Sequence, residues 1–165
     1  MIDIVNFEGE VPKLGYSKVH RFNEFSIGKG GTYDKNLSLV ENRKTDIILN
    51  VENVPNNDKT HYRNSGLNHQ ICELAKQHKI AVAFSFSNLL NAKNVARTIG
   101  RMRQNVRLCR KYKIKMVLAS FAENAFEMRH AKDLMAFGRV LGMTGSEVNK
   151  AMSFEKKKSN FSILA

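Results

Sequence analysis

Cysteine is scarce: Cys72 and Cys109 are the only two in 165 residues. Both lie inside apolar helical patterns, which predicts reduced core residues of a cytoplasmic protein and not a disulfide framework. No run approaches the ~20 apolar residues that a membrane-spanning helix needs, so no membrane partner is expected. The first residues, MIDIVNFEGEV, lack a basic stretch followed by a long apolar segment and do not read as a signal peptide. Catalytic signatures are missing as well. His20, His61, His69, His78 and His130 form neither H-x-H nor H-E-x-x-H, and no carboxylate cluster accompanies them at metal-ligand spacing. Neither cysteine has an adjacent histidine or an electropositive helix start to activate it. Gly28-Lys29-Gly30-Gly31-Thr32 matches neither G-x-x-x-x-G-K-S/T nor G-x-G-x-x-G, and reads as a plain turn ahead of a phosphate cradle. No catalytic residue and no metal ligand is therefore assigned. A site assembled only in space stays open.

Acid is the most informative absence. Residues 1–73 hold nine Lys/Arg against ten Asp/Glu, and residues 123–165 hold seven against five. Residues 74–122 hold eleven Lys/Arg and no acid, so nearly all of the net charge of +12 sits in one stretch. Such a field attracts polyanions, nucleic acid first and an anionic membrane second. The plain alternative is a basic surface kept only for solubility.

A chain of 165 residues supports one domain with a real core and is too short for two large ones. We expect a domain over 1–153 and a basic tail over 154–165 containing Lys156-Lys157-Lys158. Ile80–Phe86 and Ile114–Ser120 are apolar runs of strand length and read as buried strands. Asp46–Asn50 is a shorter run of the same kind, with Ile2–Val5 and Phe25–Ile27 weaker. Ser65 is the expected N-cap of a helix over Gly66–Gln77, with His69 hydrogen-bonding at its start. A longer helix, about 92–112, places Val95, Ala96, Ile99, Met102, Val106 and Cys109 on one apolar side. Asn124-x-x-Glu127 and Thr144-x-x-Glu147 resemble capping boxes. Leu74…His78-Lys79-Ile80 recurs as Leu108…Tyr112-Lys113-Ile114, 34 residues on, where helix hands over to strand. That spacing suits a βα unit and predicts an α/β fold, either a barrel or an open parallel sheet.

The basic helix is the strongest functional signal. At 100° per residue, Lys93, Arg97, Arg101, Gln104 and Lys111 share one sector opposite the apolar stripe, with Arg107 at its edge. Arg103 and Arg110 flank the apolar side, where their stems pack while their heads reach out. Arginine outnumbers lysine here, as suits bidentate phosphate contacts. A solvated face would mix in Glu to relieve like-charge repulsion. RNA or another polyanion is the favoured partner over a merely solvated face.

Four stretches then resemble a known family, protein component 3 of archaeal and eukaryotic ribonuclease P. They are Leu14-Gly15-Tyr16-Ser17; Asp46-Ile47-Ile48-Leu49 leading to Arg63-Asn64-Ser65-Gly66-Leu67-Asn68-His69; Arg101–Leu108 followed by Lys111-Tyr112-Lys113; and Ser120-Phe121-Ala122 through Met128-Arg129 and Asp133-Leu134 to Leu141-Gly142-Met143. The resemblance is dense over about 46–153. It implies a TIM-like βα barrel related to the metal-dependent PHP phosphoesterases, without their metal ligands. It also implies an RNA-binding subunit that supports a catalytic RNA in removing the 5′ leader of pre-tRNA. Partners would be the ribonuclease P RNA, the small ferredoxin-like component 2 and, through the holoenzyme, pre-tRNA. The chain itself would carry no cofactor, with Mg2+ serving the RNA-based holoenzyme. The candidate RNA-binding residues are Lys93, Arg97, Arg101, Arg103, Arg107 and Lys111, together with Arg129 and Arg63 of the matching stretches. Two departures predict a barrel shortened in its first half. Only about eight residues separate the first strand from Leu14, where the family has a helix, and a second helix is missing between His20 and Phe25. Phe121 stands where the family has glycine, which predicts a block to close backbone approach there. The alternative function is a stand-alone metal-dependent phosphoesterase of the PHP type; a degenerate scaffold that keeps only a protein partner is a third.

Overall fold

The computed structural model describes residues 1–155. Six strands, all parallel to their neighbours, form two sheets. β1 (Ile2–Val5) pairs with β2 (Lys18–Arg21). The larger sheet runs in the order β3 (Ile27–Lys29), β4 (Ile47–Leu49), β5 (Ala81–Ser85), β6 (Met116–Ala119). Helices α1 (Tyr33–Glu41), α2 (His69–His78) and α4 (Val95–Tyr112) link successive strands of this sheet, with short α3 (Phe86–Leu90) directly after β5. Two further helices, α5 (Ala131–Val140) and α6 (Gly145–Ala151), follow β6. This is an α/β fold, as the alternating runs predict.

Alternation along the strands explains the two cores. Ile47, Leu49, Ala81, Ala83, Val117 and Ala119 point to one face with Ile4, Phe25 and Phe121. Ile48, Val82, Phe84 and Leu118 point to the other, under the helices, with Ile71, Met102, Val106 and Leu134. Both faces are buried, which is why these strands read as continuous apolar runs. Phe154, expected at the start of the tail, packs its ring 5.9 Å from that of Phe25. Lys156-Lys157-Lys158 lie outside the described residues.

The two sheets meet at the ends of β1 and β6. Phe121 N–H donates to Ile4 O at 2.8 Å, and Asn6 N–H donates to Ala122 O at 2.7 Å. Phe121 therefore does not block close approach. It adopts the left-handed conformation (φ 48°) that a glycine would favour and buries its ring in the inner core. Among the described residues no ladder joins β2 to β3, so no closed barrel is formed. Neither connection contains an α-helix: a loop connects β1 to β2, and one 3-10 turn (Phe22–Glu24) connects β2 to β3. Phe7, Val11, Leu14 and Tyr16 of that first loop cover Val5, Ala122 and Met128 in a small satellite core.

Some boundaries shift for local reasons. The helix expected from Gly66 starts at His69, because Gly66 takes φ +83° where a Cβ would collide with the Val51 carbonyl. Asn68, not Ser65, caps it by accepting from Ile71 N–H at 2.9 Å. His69 Nδ1 pairs with the Tyr112 hydroxyl at 2.9 Å. Ser85 stops β5 by capping α3, accepting from Asn88 N–H at 3.0 Å. Thr144 and Glu147 form a full capping box, whereas Asn124 caps only a 3-10 turn (Ala125–Glu127).

Candidate nucleic-acid interface

Helix α4 begins where the Asn94 side chain accepts the Arg97 N–H at 2.9 Å. Its buried face comprises Arg101, Met102, Asn105, Val106 and Cys109. That face is rotated from the expected stripe, since Val95 is 48% exposed and Ala96 is exposed. The cause is the segment 51–65, which lies on the helix and needs donors for its carbonyls. Arg101 supplies them. Its Nη1 donates to Glu52 O at 3.0 Å and Val54 O at 2.8 Å, its Nη2 to Asn56 O at 2.5 Å. Its Nε donates to Asp58 Oδ1 at 2.8 Å. Asn105 Nδ2 donates to Ser65 O at 2.8 Å. Burial works against the Asp58 charge, yet the Arg101 and Asn64 hydrogen bonds hold its carboxyl below the ordinary range. Arg101, expected to face RNA, is instead 4% exposed and clamps this loop through all three guanidinium nitrogens.

The other basic side chains divide into held and open ones. Lys93, Arg103 and Arg107 are exposed, with no hydrogen-bond or ion-pair partner among the described residues. Arg97 is exposed, its guanidinium donating to Asn57 Oδ1 at 3.1 Å, and Lys111 Nζ lies over the Tyr112 ring. Arg63 is half exposed, 3.6 Å from Asp58, and lies against Gly100 of α4. These six can share one polyanion-facing surface. Arg110 is withdrawn from it by a bidentate pair with Glu147, both bonds at 2.7 Å. The Arg110 hydrogen bonds, chiefly, draw the Glu147 carboxyl down to about 2. Arg129 lies elsewhere, in the turn after β6, where its NH1 donates to Phe126 O and Met128 O at 2.8 Å each. Its guanidinium stacks over Phe86, so main-chain carbonyls and a ring hold it rather than the nearby Glu127 or Asp133.

A second feature was invisible in the spacing. At the carboxyl ends of the strands, a crevice of about 260 Å³ is lined by Asn6, Phe22, Lys29, Asn50, Asn88 and Phe121 among others. Beside it, Asn88 and Asn53 exchange side-chain hydrogen bonds at 2.8 and 3.1 Å. Asn88 Nδ2 also donates to Glu52 Oε1 at 2.6 Å. Glu52 is 2% exposed, and burial pushes its carboxyl up to about 7. Asn36, also buried, ties Gly31, Val51 and Gly66 together. Only the hydrophilic residues just after strand-like runs could have hinted at this end, and their types are common in loops. Burial raises both thiols, Cys72 to about 11 and Cys109 further, and both are free. Among the described residues, no three His, Cys, Asp or Glu side chains are grouped so as to hold a metal ion. No helix among them is long and apolar enough to cross a membrane.

Parallel strands crossed by helices, with a basic helical surface and a polar crevice, define a basic parallel α/β protein. The family described as RNase P subunit p30 matches residues 23–158, and the chain belongs to it. Ribonuclease P protein component 3 of Methanocaldococcus jannaschii is 31% identical over 138 residues, 81% of this chain and 56% of that protein. The Methanosarcina mazei protein of the same name is 30% identical over 134 residues, 80% of this chain and 53% of its own. The chain thus spans about half the length of the curated relatives it matches. A chain in a cryo-EM structure of archaeal ribonuclease P with mature tRNA superposes with a TM-score of 0.66 at 22% identity. That likeness covers 92% of this chain and 87% of the other, and establishes the fold.

Proposed function

We propose that this chain is an RNA-binding protein subunit of ribonuclease P, supporting the catalytic RNA in removal of the 5′ leader from pre-tRNA in the cytoplasm. The observation that carries this reading is the family match over residues 23–158, which favours it over a stand-alone PHP-type phosphoesterase. Lys93, Arg97, Arg103, Arg107, Lys111 and Arg63 then contact phosphates and read little sequence. Arg129 is a further RNA contact or a partner contact, oriented by the carbonyls that hold it. The protein partner is the ferredoxin-like component 2, and the Mg2+ of the holoenzyme belongs with the RNA. The six strands are the remnant of a TIM-like, PHP-like barrel left open between β2 and β3.

Reconstitution of pre-tRNA cleavage with the cognate RNA and component 2, with and without the full chain, tests this. Added chain should raise the cleavage rate, and the chain alone should hydrolyse no simple phosphodiester. Equal rates with and without the chain would overturn the reading.

A further inference from the structure

Two polar side chains at the carboxyl ends of the strands have no visible task. The exposed Asn6 and the half-buried Asn50, following β1 and β4, line the crevice, and neither carboxamide has a hydrogen-bond partner among the described residues. Asn50 Oδ1 is buried, although a buried amide oxygen left unpaired costs about 1–3 kcal/mol. Asn50 is also held at φ 58°, a left-handed conformation that fixes where its amide starts from. The other crevice amides are already engaged: Asn88 with Glu52 and Asn53, Asn91 with Ser87.

The remaining walls narrow the choice of ligand. Phe22, only partly buried, contributes ring surface, which a bare ion has no use for. Among the described residues the one carboxylate lining the crevice is the exposed Glu123, so a divalent cation would lack a charged ligand set there. Among the described lining residues the one cation is Lys29, exposed, with its Nζ 5.7 Å from the centre of the Phe22 ring. The volume, about 260 Å³, falls below the usual range for a large ligand. A carboxamide offers a donor and an acceptor side by side, the complement of a base edge. Aromatic rings take the face of a base, and a single lysine takes one phosphate.

We propose that this crevice binds one unstacked nucleobase, with Asn6 and Asn50 on its edge, Phe22 against its face and Lys29 at its phosphate. The position, at the carboxyl ends of parallel strands, is where α/β folds gather ligands. An RNA source for the base rests on the ribonuclease P reading; a free nucleotide would present the same chemistry.

The full chain is titrated with each nucleoside monophosphate, with a short single-stranded RNA and with a duplex RNA of equal length. The variants are Asn50→Gly, which keeps the left-handed backbone, Asn6→Ala and the exposed Lys29→Ala. The site predicts that each amide variant weakens single-strand or monophosphate binding about tenfold and leaves duplex binding unchanged. Competition between a monophosphate and the single strand identifies an RNA base as the source. Monophosphate binding without that competition identifies a free nucleotide. Should an amide variant fail to fold, Lys29→Ala still decides, with weaker binding of the same ligands. Binding indifferent to all three substitutions, or no binding of either ligand, overturns the proposal. Combined substitution of Arg97, Arg103 and Arg107 separates the two readings: if it changes no RNA affinity while the crevice variants do, the helix surface fails and the crevice stands.

Discussion

The carboxylate of Asp3, on β1, accepts both the N–H and the hydroxyl of Ser120, at 2.6 and 2.7 Å. A third bond comes from Ile4 N–H at 2.9 Å. These residues are 117 apart in sequence, and their contact fastens the two-stranded sheet to the end of β6. Burial nevertheless pushes the Asp3 carboxyl above its ordinary range, with the hydrogen bonds opposing that shift.

Asp3→Ala should destabilise the chain by about 3 kcal/mol, since it strands the Ser120 donors in a dry junction. Asp3→Asn, which keeps an acceptor for Ser120 N–H, should do less. Urea unfolding of both, with Ser120→Ala completing a double-mutant cycle, checks this. Additive effects of Asp3→Ala and Ser120→Ala would mean that the two side chains are not coupled.

Arg101 and its neighbours on α4 should separate cleanly. Arg101→Ala breaks a buried ion pair and three carbonyl contacts, and should lower stability by about 3 kcal/mol or more, with early proteolysis in 51–65. Combined substitution of Arg97, Arg103 and Arg107 by Ala should leave the thermal midpoint nearly unchanged. It should also flatten the log–log salt dependence of RNA binding by roughly one unit for each lost phosphate contact. A triple variant with an unaltered salt slope would remove the helix from the interface.

These contrasts show what was legible in the sequence. The strands β4, β5 and β6 were, because burial on both faces leaves an unbroken apolar run. β2 was not: in Lys18–Arg21 only His20 is buried, so no pattern marks it. Nor was α1, whose buried residues are Asn36 and Val40 alone. Local pattern turns Arg101 outward because an arginine is almost never buried unless paired, and its pairing residues lie over 40 positions away. The crevice draws on six chain segments, so no local spacing encodes it.

The 34-residue echo does have a structural meaning. Lys79 and Lys113 both end their helices in the left-handed conformation, at φ 59° and 58°. Ile80 N–H then returns to Ala75 O, and Ile114 N–H to Cys109 O, each at 2.9 Å. Glycine is the usual residue at such a cap because it carries no Cβ penalty. Lys79→Gly and Lys113→Gly should therefore each stabilise by roughly 0.5–1 kcal/mol, after the entropy gained by the unfolded chain is subtracted. Calorimetric midpoints lower than wild type in both would mean that the lysine side chains contribute contacts of their own.

Glu52 supplies a pH dependence with a definite sign. Its carboxyl is buried beside Asn88, and burial raises it from an ordinary 4.5 to about 7 in the folded chain. Between those values the folded chain holds a proton that the unfolded chain has released. The stabilisation is complete below about 4.5 and is lost as pH rises through about 7. A shift of that size corresponds to about 3 kcal/mol. Glu52→Gln keeps an acceptor for Asn88 Nδ2 and cannot ionise, so its stability should not fall with Glu52 across this range. Asp3 titrates in both proteins and cancels from the comparison. Urea midpoints from pH 4.5 to 8 should show the variant gaining on wild type as pH rises, with a slope approaching one proton between about 4.5 and 7 and the difference levelling out above pH 7. Parallel curves for the two proteins would show that Glu52 stays ionised in the fold, and that the burial argument for its proton is wrong.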